Sequence, residues 1–95
     1  TNVVDSFQLN DDFSIIEIEI PLKFVGKTIK EIELRAKYNL LALTTIKKTE
    51  VKSAVGKTRN EEKVQGVASS NTVLNANDIL VVFGHNKDLR NFTNP

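Results

Sequence analysis

The chain has 95 residues, 40% hydrophobic and 26% charged, with a formal net charge of +1 and no cysteine. That length allows one domain with a thin core, and the proportions are those of a soluble globular protein. The near-neutral balance offers no general field for a nucleic-acid polymer or a lipid surface, and the missing cysteines exclude disulfides, thiolate chemistry and Cys-based zinc sites.

No run approaches the roughly 18 apolar residues of a membrane span, and no signal peptide is visible. The chain starts at Thr1 and has no Met. It is expected to be a piece of a longer protein, in a reducing compartment.

Residues 1–12 are polar apart from Val3, Val4, Phe7 and Leu9 and read as a linker; the domain proper is expected over 13–95. From Phe13 to Pro21 the residues alternate: Ser14, Ile16, Ile18 and Ile20 share one face, and Phe13, Ile15, Glu17 and Glu19 share the other. That period of two predicts a half-buried strand, stopped by Pro21, which cannot donate to a ladder. The run Thr28-Ile29-Lys30-Glu31 fits the capping box, so a helix should start at Thr28. Ile29, Ile32 and Ala36 fall on one helical stripe, whereas Leu34 and Tyr38 point the other way. Either the helix breaks near Glu33 or it is apolar on two faces.

Leu40 to Ile46 reads as a second strand, and 47–63 as a long polar hairpin. Val64 to Ser69 reads as a third strand, with Gly66 inside it. Val73 and Leu74 tuck back, and Asn75 to Asp78 turn the chain into Ile79–Phe83. That run is continuously apolar and largely β-branched, as in a central strand. A last helix is expected over Lys87–Phe92, capped at or beside Asn86. The expected class is α+β: a small mixed or antiparallel sheet with helices packed on one side, in the order β-α-β-β-β-α.

Candidate chemistry is sparse. Gly-Lys-Thr occurs at Gly26 and again at Gly56, but a phosphate loop needs a further Gly where Pro21 and Val51 stand. His85 is the single histidine, with Asp78 and Asp88 its nearest carboxylates, and it reads as a turn residue rather than a metal ligand. Glu17 and Glu19 share a strand face and read as a solvated pair. Asn91-Phe92-Thr93 fits a glycosylation sequon, which means nothing without a secretion signal. No nucleophile–base pair is seen, and no enzyme is expected. Arg35 stands beside the apolar stripe, where a guanidinium can fork onto a phosphate or a carboxylate. Its alternative partner is Glu31, one helical turn back.

Three runs in this order, Gly26-Lys27-Thr28-Ile29, Leu34-Arg35-Ala36-Lys37-Tyr38-Asn39 and Leu74 to Gly84, carry a resemblance. The chain resembles the C-terminal domain of the regulator-of-potassium-conductance family, the TrkA-C domain, over about residues 13 to 92. The resemblance implies a cytoplasmic regulatory domain of a bacterial potassium uptake or cation transport protein. It implies a homodimer working with an N-terminal nucleotide-binding domain and a membrane transport subunit. No cofactor is implied. In some members the dimer cleft binds cyclic di-AMP as a regulatory ligand. Carried over to this chain, that site would comprise Ile29, Glu33, Leu34, Arg35, Leu41 and Ala68, with Arg35 on a phosphate and Ile29 in an apolar patch. The alternative is a dimerisation or interaction module of such a protein with no small-molecule ligand.

Overall fold

The computed structural model describes residues 3–94. Five strands, β1 (Val3–Gln8), β2 (Phe13–Glu19), β3 (Leu41–Lys52), β4 (Thr58–Val64) and β5 (Ile79–His85), form one antiparallel sheet in the order β1-β2-β5-β3-β4. A 3-10 turn, Leu22–Phe24, precedes helices α1 (Ile29–Ile32) and α2 (Leu34–Tyr38), and α3 (Asn86–Thr93) follows β5.

β5 is the central strand, as its unbroken apolar run predicts. It pairs with β2 without a slip from Phe13↔His85 to Glu19↔Ile79. On one face of this pair Ile16, Ile18, Leu80 and Val82 meet Ile32 and Leu34 of the first two helices and Leu89 and Phe92 of the last. Ile18, Leu80 and Val82 are fully buried there. The other face carries a smaller cluster of Ile46, Ile79 and Val81, flanked by Ile15 and Leu43. Burying the first face is what holds helices as short as these, since helices under about 12 residues are marginal on their own. An aromatic trio joins the pieces. Phe24 stacks on Phe92 at 5.9 Å, and Tyr38 meets Phe92 edge-on at 4.9 Å.

The capping box forms in full. The Thr28 hydroxyl accepts from the Glu31 amide at 3.1 Å, and the Glu31 carboxylate accepts from the Thr28 amide at 3.0 Å. The two remaining free amides of the first turn, on Ile29 and Lys30, donate to the carbonyls of Thr72 and Ser70. Hydrogen bonds from the Thr28 backbone and side chain, aided by the Lys27 charge and opposed by desolvation, hold the Glu31 carboxyl below the usual carboxylate range. A carboxyl lowered by folding stabilises the fold above its unfolded pKa, and that contribution is lost as pH falls through the lower folded value. Thr28→Ala is expected to cost about 1 kcal/mol at neutral pH. The gap between the two proteins should narrow on acidification through the carboxylate range, read by thermal melts at a series of pH values. A constant gap would mean that the Thr28 hydroxyl has no part in lowering the Glu31 carboxyl, leaving that to the Thr28 amide, which alanine keeps.

Two expectations change and two hold. Residues 3–8 of the expected linker form β1, paired with β2 from Val3↔Ile18 to Gln8↔Ser14; Thr1 and Asn2 lie outside the described residues. β1 has no buried residue, so no hydrophobic period announces it. The long polar hairpin expected over 47–63 forms: the second strand runs on past Ile46 to Lys52 and pairs with β4, Thr58–Val64. The expected third strand over 64–69 is instead a strap beside β3, tied by the Gln65 amide to Thr45 O and by the Ala68 amide to Leu43 O, both at 2.9 Å. The cap of α3 is His85, beside Asn86 as expected; its Nδ1 accepts from the Lys87 amide at 3.1 Å.

Candidate functional site

Of the two options for the segment after Thr28, the helix breaks. Glu33 adopts the left-handed conformation, φ 53 and ψ 48, and a new helix starts at Leu34. A non-glycine residue there is uncommon and costs about 1–2 kcal/mol. The break re-phases the chain, so that Ile32 (4% exposed) and Leu34 (2% exposed) both enter the core although they are two residues apart. A continuous helix would place them on nearly opposite sides. Arg35 then projects at the surface, immediately after the buried Leu34.

Asn39 closes α2, again left-handed at φ 55, with its amide bonded to Arg35 O. The chain then turns directly into β3. A bulge between Ala42 and Thr44 interrupts the pairing of β3 with β5. It frees Leu43 O to accept from Ala68, which draws the strap over the start of β3. Three separate stretches of sequence therefore converge by backbone hydrogen bonding.

Between them lies a cavity of about 200 Å³. Ile29, Leu34, Arg35, Leu41 and Ala68 all line it, with Ala42 beside them. Five of the six residues expected at the site are thus gathered around one space. Glu33 lines an adjoining cavity of about 390 Å³, which shares Ile29, Leu34 and Arg35 with the first. The walls are apolar, and the charge comes from Arg35. Glu33 is turned away to Lys37, at 3.0 Å. The alternative Arg35–Glu31 pair is not formed, because Glu31 is folded back onto Thr28. Among the described residues Arg35 takes part in no ion pair. An uncompensated guanidinium beside an apolar hollow suits an anion attached to a flat, weakly polar group.

The sequence reading missed Leu40, Ala42, Ser69 and Ser70 as lining residues. Ala42 was hidden by the bulge, which cannot be seen in the run Leu41-Ala42-Leu43. Ser70 is placed by its carbonyl, which any residue type would supply. Among the described residues no group of three or more His, Asp or Glu could hold a metal ion, and no helix is long and apolar enough to cross a membrane.

The sequence matches the TrkA-C domain family over residues 13–95. Among curated proteins it is similar to the Ktr system potassium uptake protein A of Bacillus subtilis (strain 168), with 26% identity over 93 residues. That alignment covers 98% of this chain and 36% of the relative, so the chain spans little more than a third of the relative's length. Among solved structures it is similar to the regulator of conductance of K+ (RCK) C domain of the potassium transport protein KtrA, in complex with cyclic diadenosine monophosphate. The TM-score is 0.60 at 27% identity, covering 86% of this chain and 81% of that one.

Proposed function

The chain belongs to the TrkA-C domain family, as its motifs led us to expect, and on that premise we propose that it is the ligand-sensing regulatory domain of a potassium transport protein. The ligand is cyclic di-AMP, held in a cleft between two copies of the chain. Arg35 of each copy forks onto one phosphate. Ile29, Leu34 and Ala68 pack on a base, Leu41 shields its edge, and Glu33 borders the cleft.

One observation carries this reading: an apolar cavity assembled from three distant stretches, with an unpaired guanidinium on its wall. Its support from likeness is the similar KtrA domain, described in complex with that dinucleotide. The symmetry also fits. A two-fold dimer presents two Arg35 side chains, and a cyclic dinucleotide presents two phosphates. The partners are an N-terminal nucleotide-binding domain and a membrane transport subunit, at the cytoplasmic face of the membrane. The ligand controls transport only through different affinities for two arrangements of the dimer.

Titration calorimetry with cyclic di-AMP, beside sedimentation of the chain at micromolar concentration, tests this. The expected result is a dimer that binds one dinucleotide per pair of chains. A dimer that gives no heat would leave a pure dimerisation module. A monomer that gives no heat would sink both readings.

A further inference from the structure

Arg35 faces a second hollow. A cavity of about 370 Å³ shares Arg35, Leu40 and Leu41 with the first but has a different chemistry. Phe13 and Phe83, brought together by the β2–β5 register, lie stacked at 5.7 Å with 12° between their rings. His85 meets Phe13 edge-on at 5.3 Å. Phe13 is 38% exposed and Leu41 44%, so this wall is open to a visitor. Besides Leu40 and Gly84, the rest of the lining is polar: Arg35, Asn39 and Asp88.

The polar groups are ordered among themselves. Asn39 Nδ2 donates to Asp88 Oδ2 at 3.3 Å, which leaves the second carboxylate oxygen and the Asn39 carbonyl to accept. His85 Nδ1 accepts from the Lys87 amide, so the neutral ring carries its proton on Nε2. Arg35 and Asp88 line the same space without forming an ion pair. A cation and an anion that share a cavity unpaired impose a direction on any guest.

We propose that this aromatic-walled cavity is a second ligand site, which takes the ring of an amino-substituted purine nucleotide with its phosphate on Arg35. The inference rests on the dinucleotide reading for its ligand class, not for its geometry. The volume lies at the lower end of the on-the-order-of 300–1,000 Å³ typical of small-molecule sites, enough for one nucleotide. Aromatic side chains accept any base face by stacking. The polar end then selects. The Asp88 carboxylate repels phosphate and accepts from an exocyclic amine, and an Asn carbonyl accepts from the same group in adenine. A purine with an oxo group in that place finds an acceptor facing an acceptor. Because both cavities use Arg35, a mononucleotide here competes with the dinucleotide for the same guanidinium.

NMR titration of the 95-residue chain with adenosine monophosphate, inosine monophosphate and cyclic di-AMP tests this, with Phe13→Leu and Asp88→Asn as variants. The adenosine nucleotide should shift Phe13, Phe83 and His85 saturably, with a Kd of about 1 mM or below. The inosine nucleotide should bind about fivefold more weakly. Phe13→Leu should weaken the adenosine nucleotide by about fivefold, and Asp88→Asn should erase the preference between the two while leaving the fold intact. No saturable shift of those three residues up to about 10 mM, or undiminished binding by both variants, would overturn the second site. If cyclic di-AMP still moves Ile29 and Ala68 in that case, the cleft reading stands without it. The reverse pattern would overturn the cleft and keep the second site.

Discussion

Replacing Arg35 with alanine is expected to weaken cyclic di-AMP by about 30-fold or more, a loss of ~2 kcal/mol. The magnitude follows from a charge-assisted, two-pronged contact between a guanidinium and a phosphate. Arg35→Lys keeps the charge and loses the fork, so it should fall between the two. Neither change should disturb the fold. Arg35 is exposed, and among the described residues it has no ion-pair partner. Stability should therefore stay within about 0.5 kcal/mol of the parent chain. Calorimetric titration gives the first quantity and thermal melting the second. Equal affinity for the parent and the alanine variant would take Arg35 out of the site. A large drop in melting temperature would make it a structural residue instead.

The second large effect is expected in the core. Leu80 is fully buried on the helix-covered side of the central strand, among Ile18, Val82 and Leu89. Leu80→Ala should cost about 3–4 kcal/mol, the sum of the lost transfer energy and the cavity left behind. A domain of this length has a total stability of roughly 5–14 kcal/mol. One truncation would thus consume a large part of it and lower the melting temperature by roughly 15–25 °C. Urea unfolding should show the midpoint falling with the slope unchanged. A cost under about 1 kcal/mol would mean that the space around β5 collapses freely, unlike a close-packed interior.

These outcomes rest on features that were unequally visible in the sequence. The capping box at Thr28 was legible because two side chains and two amides, all within four residues, satisfy one another. Asn39 and Asn77 are both left-handed, at φ 55 and φ 69, and asparagine tolerates that region, so the family pattern at Tyr38-Asn39 has a local physical cause. The burial of Ser14, Ile16, Ile18 and Ile20 followed from a period of two. By contrast, Glu33 has no intrinsic preference for φ above zero. The tertiary need to bury both Ile32 and Leu34 overrides it, and the sequence could only offer a break as one of two options. β1 was illegible because water surrounds every side chain in it, whereas the exposed β3–β4 hairpin still showed as a polar run between two strands.

The site divides in the same way. Ile29, Leu34 and Arg35 could be named together because the family motifs carry them, whereas Leu41 and Ala68 lie outside those runs and were placed only by their rough position in the family pattern. Nothing in the spacing of Leu41 and Ala68 shows that they meet; the bulge at Leu43 and the strap bring that about. The aromatic cavity was less visible still. Phe13, Phe83 and His85 become neighbours only through a register that depends on the whole sheet.

The outer strand β4 has a consequence for assembly. Every one of its residues is exposed, and Arg59, Glu61, Glu62 and Lys63 stand in close succession along an unpaired border. Charged borders resist the endless lateral stacking of sheets that leads to fibres. Copies of this chain are thereby steered away from open-ended growth, and self-association that stops at a finite number of subunits becomes the natural outcome even when the protein is abundant.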